Sequence, residues 1–158
     1  MRVVIQRAKG ASVMIGGKTT AEFKGLGFLI LVGIESTDTN DDIAWLVRKI
    51  TALRVFDDEN GVMNRSILDI AGEHEGADGD INVVSQFTLF ASYKKGNRPS
   101  WLRAASHEIS IPLYEEFIRK ISEAIGRPVG HGEFGADMKV SLCNDGPVTI
   151  LMDTHNKE

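Results

Sequence analysis

The first 34 residues, MRVVIQRAKGASVMIGGKTTAEFKGLGFLILVGI (residues 1–34), decide the fold class. Val3, Val4 and Ile5 make residues 1–8 a short β-rich run, and ASVMI, residues 11–15, is a second. Gly16-Gly17, between ASVMI and KTTAEFK, is a two-residue hairpin signal, because the tight turns that match strand twist need backbone angles glycine adopts freely. GFLILVGI, residues 27–34, is a continuous apolar run with glycine near each end, the pattern of a fully buried strand.

Outward from this hairpin the pattern turns helical. Thr39 or Asn40 can cap a first helix, with Asp41 and Asp42 at its positive dipole end. Ile43, Leu46, Val47, Ile50 and Leu53 recur at helical spacing on one face. DDENG, residues 57–61, is a turn, and the polar, glycine-rich residues 69–80 form an exposed loop with no core to join. Residues 81–91, INVVSQFTLFA, return to strand chemistry. A basic loop covers residues 92–104. The spacing predicts a second helix from about Ile111 to Ile125, with Pro112 in its first turn, Leu113, Phe117, Ile121 and Ile125 as its stripe, and Gly126 and Pro128 as its stop. The tail holds two strands, MKVSLC and VTILM, joined by a turn at Asn144-Asp145-Gly146-Pro147. Locally paired strands with two main helices indicate one α+β domain over residues 1–158, built on an antiparallel or mixed sheet.

Composition excludes several classes. A chain of 158 residues with 42% hydrophobic and 25% charged residues is an ordinary globular domain, not a disordered tail, a collagen or a coiled coil. Cys143 is the single cysteine, so neither a disulfide scaffold nor a paired-cysteine zinc site can form. The net charge of −4 argues against a sequence-blind nucleic-acid binder, while leaving room for a local basic patch. The longest apolar run, Phe28–Ile34, is far shorter than the ~20 residues of a membrane span. The start has no apolar signal region, and a cytoplasmic location is expected.

The chemistry-bearing residues form no familiar triad. There is no P-loop, no HExxH and no GxSxG elbow. His74, His107, His131 and His155 lie in polar or loop-like stretches and read as surface residues. Cys143 reads as a small buried hydrophobe. If residues 81–91 are one strand, Val83, Ser85, Phe87 and Leu89 share one face and Val84, Gln86, Thr88 and Phe90 the other, so each face mixes apolar and hydrogen-bonding groups. Asn144 to Pro147 is a hairpin turn by composition; a cis Gly-Pro bond would aim its carbonyls at a ligand amine instead. Lys94, Lys95, Arg98 and Arg103, interleaved with Tyr93 and Trp101, suit either a solvated loop or a nucleic-acid backbone with a stacked base.

Ser85-Gln86-Phe87-Thr88-Leu89 and Asn144-Asp145-Gly146-Pro147-Val148-Thr149 resemble the SQxTLx and NxGPxT signatures of the D-aminoacyl-tRNA deacylase family. MRVVIQRAKGASV, LRVFDDENGVMN, KKGNRPSW and GEFGADMKVSLCNDGPVTI extend the resemblance nearly end to end, and residues 72–80 look like a longer acidic insert. The resemblance implies a barrel-like core and hydrolysis of the ester joining a D-amino acid, or misattached glycine, to the terminal adenosine of tRNA. It implies a homodimer with each active site at the subunit interface, and no metal or organic cofactor. Gly146-Pro147 would be a Gly–cis-Pro selector that one subunit inserts into the other's pocket, holding the α-amino group so that an L side chain meets backbone. Ser85, Gln86 and Thr88 would be the catalytic positions beside the ester. Phe87, with Gln86, would grip the adenosine, and Phe134 and Thr149 would be pocket neighbours. Lys94, Lys95, Arg98 and Arg103 would contact the tRNA backbone. Catalysis would rest on the tRNA's own 2′-hydroxyl and on positioned backbone groups, with a covalent Thr88 as the second route. The rival classes are a non-catalytic tRNA-binding or ligand-binding module of the same fold, and a hydrolase of small esters.

Overall fold

In the computed structural model, β1 (Arg2–Ile15) and β2 (Lys18–Gly33) form one long antiparallel hairpin closed at Gly16-Gly17. The structure describes residues 1–158 except Gly76 and Pro147. After β2 come α1 (Asn40–Thr51), the short hairpin β3 (Phe56–Asp57) and β4 (Met63–Arg65), and the single turn α2 (Glu73–Gly76). Then follow β5 (Asp80–Ser85), a 3-10 turn (Phe87–Phe90), α3 (His107–Ile125), β6 (Gly130–His131) and β7 (Met138–Asp153). The main sheet has the order β6-β5-β2-β1-β7. β5 pairs parallel with β2 and with β6, and the other pairs are antiparallel, so the sheet is mixed. It runs between two edge strands and is open; the barrel-like description is too strong.

One face of this sheet carries the main core. Val3 and Ile5 of β1, Phe28, Ile30 and Val32 of β2, and Ile81 and Val83 of β5 pack against Ile43, Leu46 and Ile50 of α1 and Phe117 and Ile121 of α3. The register shifts between Lys9 and Ala11, where Gly10 sits at φ +92°, an angle that favours glycine. Past that shift, Ala11 and Val13 join Phe23, Leu29 and Val84 in a second cluster on the other face. The two short β runs of the sequence are thus one strand that changes its buried side.

Local signals hold for α1. Thr39 accepts from the Asp41 N–H at 3.3 Å, and Asp42 accepts from the Thr39 N–H at 2.8 Å, a reciprocal cap. Other expectations are corrected by long-range contacts. α3 starts at His107 rather than Ile111, because Ser106 adopts extended N-cap angles a turn earlier. Pro112 is therefore the sixth helical residue, where its missing N–H leaves the Glu108 carbonyl without the usual partner. Residues 69–80 do join the core: Ile70 is buried, and the buried Asp78 accepts from the Leu26 N–H at 2.8 Å. The tail is not a hairpin. β1 is long enough to pair with both halves of β7, Ile15 with Met138 and Arg2 with Asp153. Asn144 and Thr149 lie opposite Ala8 and Gln6, so the motif between them bulges from one continuous strand. Cys143 is exposed, not buried, because this part of β7 turns its side chain to solvent. The expected cis bond at Gly146-Pro147 lies outside the described residues.

Gly27 faces Asp80 at the start of the β2–β5 ladder, and a Cβ there would sit 2.2 Å from the Asp80 carbonyl oxygen. That oxygen is backbone and cannot swing aside. Gly27→Ala is expected to destabilise the fold by ~1–3 kcal/mol, read as a lower urea midpoint at unchanged slope. An unchanged midpoint would mean the ladder tolerates the extra methyl.

Candidate active site

The parallel strands β2 and β5 end together, with Val32 opposite Ser85. The strand expected to run to residue 91 stops here, and the chain leaves the sheet. Gln86 donates its N–H to the Val32 carbonyl at 2.7 Å and the backbone then winds into the 3-10 turn. The alternating two-face reading of Ser85–Phe90 therefore fails beyond Ser85. Phe90 is fully buried and anchors the turn, with the guanidinium groups of Arg2 and Arg103 lying 4.8 Å and 5.3 Å from its ring centre. Arg2 also donates to the Leu89 carbonyl at 3.1 Å and to Asp153 at 2.6 Å, while Arg103 pairs with Glu35 at 3.2 Å.

This corner forms one wall of a cleft of about 700 Å³ at the carboxyl ends of β2 and β5. Ser85, Gln86 and Phe87 face Ser106 and His107 from the start of α3 and Phe134 from the loop before β7. Phe134 is held edge-on between His107, at 5.5 Å, and Tyr114, at 5.8 Å. The Tyr114 hydroxyl donates to the Val83 carbonyl at 2.9 Å, with the Gly132 carbonyl 3.3 Å away. Burial pushes its phenol far above the ordinary tyrosine range, so Tyr114 is a neutral post under the cleft. The Gln86 amide donates to the Thr88 hydroxyl, which leaves the Thr88 proton free to be donated onward. Thr88 is half-buried behind Gln86 and does not itself line the cleft. Among the described residues, the Ser85 hydroxyl and the Phe87 and Thr88 N–H groups have no hydrogen-bond partner. The start of a 3-10 turn leaves its first amides open in this way. A carbonyl oxygen that gains charge can use such donors.

The second motif sits elsewhere. Among the described residues, none of Asn144–Thr149 lines this cleft. Two consecutive residues of β1 brace it instead. Gln6 donates to Asn144 and, at 3.2 Å, to the Val148 carbonyl, and it accepts from the Thr149 hydroxyl at 2.7 Å. Arg7, buried, meets the Asp145 carboxylate at 2.8 Å and its carbonyl at 3.1 Å, and donates to the Val55 carbonyl at 2.5 Å. Sequence reasoning passed over Gln6 and Arg7. The available signal was two adjacent polar residues inside an otherwise apolar strand.

Of the four expected backbone-contacting cations, Lys94, Lys95 and Arg98 are exposed on a strap closed by mutual Ser92–Ser100 bonds at 2.8 Å. Arg103 differs in already holding Glu35. His107, read as a surface residue, is exposed but stands at the cleft wall. Among the described residues, two clusters have metal-ligating side chains, Glu35–Asp38–His155 and Glu73–His74–Asp78. Neither lines the cleft, and Asp38 is occupied by the N-terminal amine, the Glu35 N–H and His155.

The fold is that of an α+β protein whose open mixed sheet ends in a cleft, and among the described residues no histidine, lysine or carboxylate hydrogen-bonds to the Ser85 or Thr88 hydroxyl. Residues 4–153 match the family model of D-Tyr-tRNA(Tyr) deacylase, and the chain belongs to that family. A D-aminoacyl-tRNA deacylase of Phocaeicola vulgatus is 60% identical over 158 residues, covering all of both chains. One from Bacteroides thetaiotaomicron is 59% identical over the same full span. The fold also superposes on the solved structure of a c-Myc DNA unwinding element binding protein with a TM-score of 0.85 and 38% identity, covering 98% of this chain and 99% of that one. Among the described residues, no helix is long and apolar enough to cross a membrane.

The corner has a pH signature. Burial alone would raise the Asp153 carboxyl, but Arg2 and the His155 N–H, at 3.0 Å, hold it below its ordinary value. A depressed carboxylate stabilises the fold above its unfolded pKa of ~3.9, and that contribution disappears as pH falls through the folded value. Wild type should therefore lose stability below about pH 4 more steeply than Asp153→Asn, which should be weaker at pH 7. Parallel acid dependences in urea titrations would remove Asp153 from the account.

Proposed function

We propose that this protein hydrolyses the ester of D-aminoacyl-tRNA, and of mischarged glycyl-tRNA, releasing free amino acid and tRNA as a chiral proofreading step in the cytoplasm. The observation that carries the reading is the corner at the cleft, where Ser85 and Phe87 line the wall and, among the described residues, the Ser85 hydroxyl, the Phe87 amide and the adjacent Thr88 amide have no hydrogen-bond partner. The family membership points to the same substrate. The ester carbonyl sits against these donors, which favour the oxyanion as it forms. Gln86 keeps the Thr88 hydroxyl oriented and, with Phe87, holds the terminal adenosine. Among the described residues no histidine, lysine or carboxylate hydrogen-bonds to Ser85 or Thr88, so no base is in place for a covalent threonine. The 2′-hydroxyl of the adenosine, held beside the carbonyl, supplies the assistance instead, and positioning does most of the work on an already labile ester.

Selection of the D-form comes from Gly146-Pro147 of a second copy of the chain, entering the cleft beside Phe134 in a homodimer. Its carbonyls hold the α-amino group, and an L side chain would meet backbone. Two observations support this arrangement: none of the described residues of the motif lines its own chain's cleft, and Gln6 and Arg7 hold Asn144, Asp145, Val148 and Thr149 on the edge strand β7. Leu151, on the same strand, is 65% exposed. Lys94, Lys95 and Arg98 take the tRNA backbone, with Arg103 contributing less because Glu35 already holds it.

Incubation with D-Tyr-tRNA and L-Tyr-tRNA tests the reading. Release of D-tyrosine with the L-ester spared is the expected outcome; equal turnover, or none of either, would sink it. Thr88→Ala and Cys143→Ala should each keep substantial activity. Complete loss in Thr88→Ala with adenosine binding intact would put the covalent route in its place.

Affinity for tRNA should also fall with added salt, by a slope near ~0.7 per phosphate neutralised on a single strand. Lys94→Glu with Lys95→Glu should flatten that slope, and an unchanged slope would leave the strap merely solvated.

A further inference from the structure

Phe87 and Trp101 are 53% and 38% exposed and both line the mouth of the cleft. Single exposed apolar residues are ordinary, but two large rings side by side at one opening form a patch. Their centres lie 5.4 Å apart and their planes cross at 82°. Two rings at right angles cannot both lie flat against one planar base. The pair therefore offers two stacking faces to two different bases. Phe87 carries one of the unpaired amides beside the ester position, so its ring belongs to the terminal nucleoside. Trp101 follows directly on Ser100, the residue that closes the strap bearing Lys94, Lys95 and Arg98. The strand leaving the cleft toward those cations passes Trp101 next. In a chain of net charge −4, that strap is where an anionic backbone finds positive charge.

We propose that Trp101 is the stacking platform for the base immediately 5′ of the terminal adenosine. The proposal rests on the reading of the substrate as an aminoacylated tRNA end. It makes substrate length, and not only the aminoacyl nucleoside, a determinant of affinity. Base–aromatic stacking tolerates any base, so this contact adds binding without selecting among tRNAs by sequence.

The test compares 3′-D-tyrosyl-adenosine with the same ester on the dinucleotide CA, for wild type, Trp101→Ala and Trp101→Phe. Wild type should prefer the dinucleotide. Trp101→Ala should lose ~5- to ~150-fold of that preference, in KM rather than kcat, and Trp101→Phe should recover most of it. If Trp101→Ala loses the same factor on both esters, Trp101 only buttresses Phe87 and the proposal fails. A second arm does not depend on turnover. A non-hydrolysable D-tyrosyl amide of 3′-amino-adenosine, extended on its 5′ side by 2-aminopurine, should be quenched on binding wild type but not Trp101→Ala. Binding without quenching in wild type overturns the stack. Quenching without hydrolysis of any D-ester by wild type would instead leave the stack standing and sink the deacylase reading.

Discussion

Val32 faces Ser85 at the last rung of the parallel β2–β5 ladder, and one further bond, from the Gln86 N–H to the Val32 carbonyl, carries the chain out of the sheet. The rest of the structure depends on that step. If β5 continued as a strand, the Thr88 N–H would be the next to bond to β2. Because it stops, the Phe87 and Thr88 N–H groups stay unpaired among the described residues, and Phe87 lines the cleft. The stop is held from outside: Phe90 is buried between two guanidinium groups, and Arg2 takes the Leu89 carbonyl. A 3-10 turn has poor internal hydrogen-bond geometry, so it persists where tertiary contacts define it.

An acidic protein here uses arginine as internal mortar. Arg2 and Arg7 each meet more than one acceptor or ring, which offsets the cost of withdrawing a guanidinium from water, while the more exposed Arg103 spans Glu35 and the Phe90 ring at the surface. Gln6 and Arg7 do this for the β7 bulge. Adjacent residues of a strand project to opposite sides, so the pair grips the motif from both. Gln6 holds Asn144, Val148 and Thr149, and Arg7 holds Asp145. The two motifs of the family are thus built differently. One is an internal corner with open amides, and the other is a braced projection on an edge strand.

Local patterns were legible from the residues alone. Gly16-Gly17, the Thr39–Asp42 cap, the stripes of α1 and α3 and the buried run at residues 27–34 each depend on spacing within a few residues, and each appears in the structure. The resemblance to the deacylase family also placed Ser85, Gln86, Phe87 and Phe134 in one group, and the cleft brings those four together. What resisted reading was every feature set by a partner far along the chain. Strand propensity is real for Phe87, Thr88 and Phe90, yet their conformation is fixed by Arg2 and Arg103. Asp78 looks like a loop carboxylate until Leu26 is beside it.

By itself, then, the sequence determined one α+β domain, its hairpin and its two main helices with their buried faces, because periodicity, caps and turns are short-range physics; the residues of the candidate site were legible only through the resemblance of two motifs to a family. Only the tertiary structure decided that β5 ends at Ser85, that both tail segments pair with the same strand β1, and that Gln6 and Arg7 brace the second motif. It alone set Trp101 against Phe87 at right angles. Those outcomes follow from which distant backbone groups and side chains find one another, and hydrogen bonds across more than a hundred residues leave no local pattern to read.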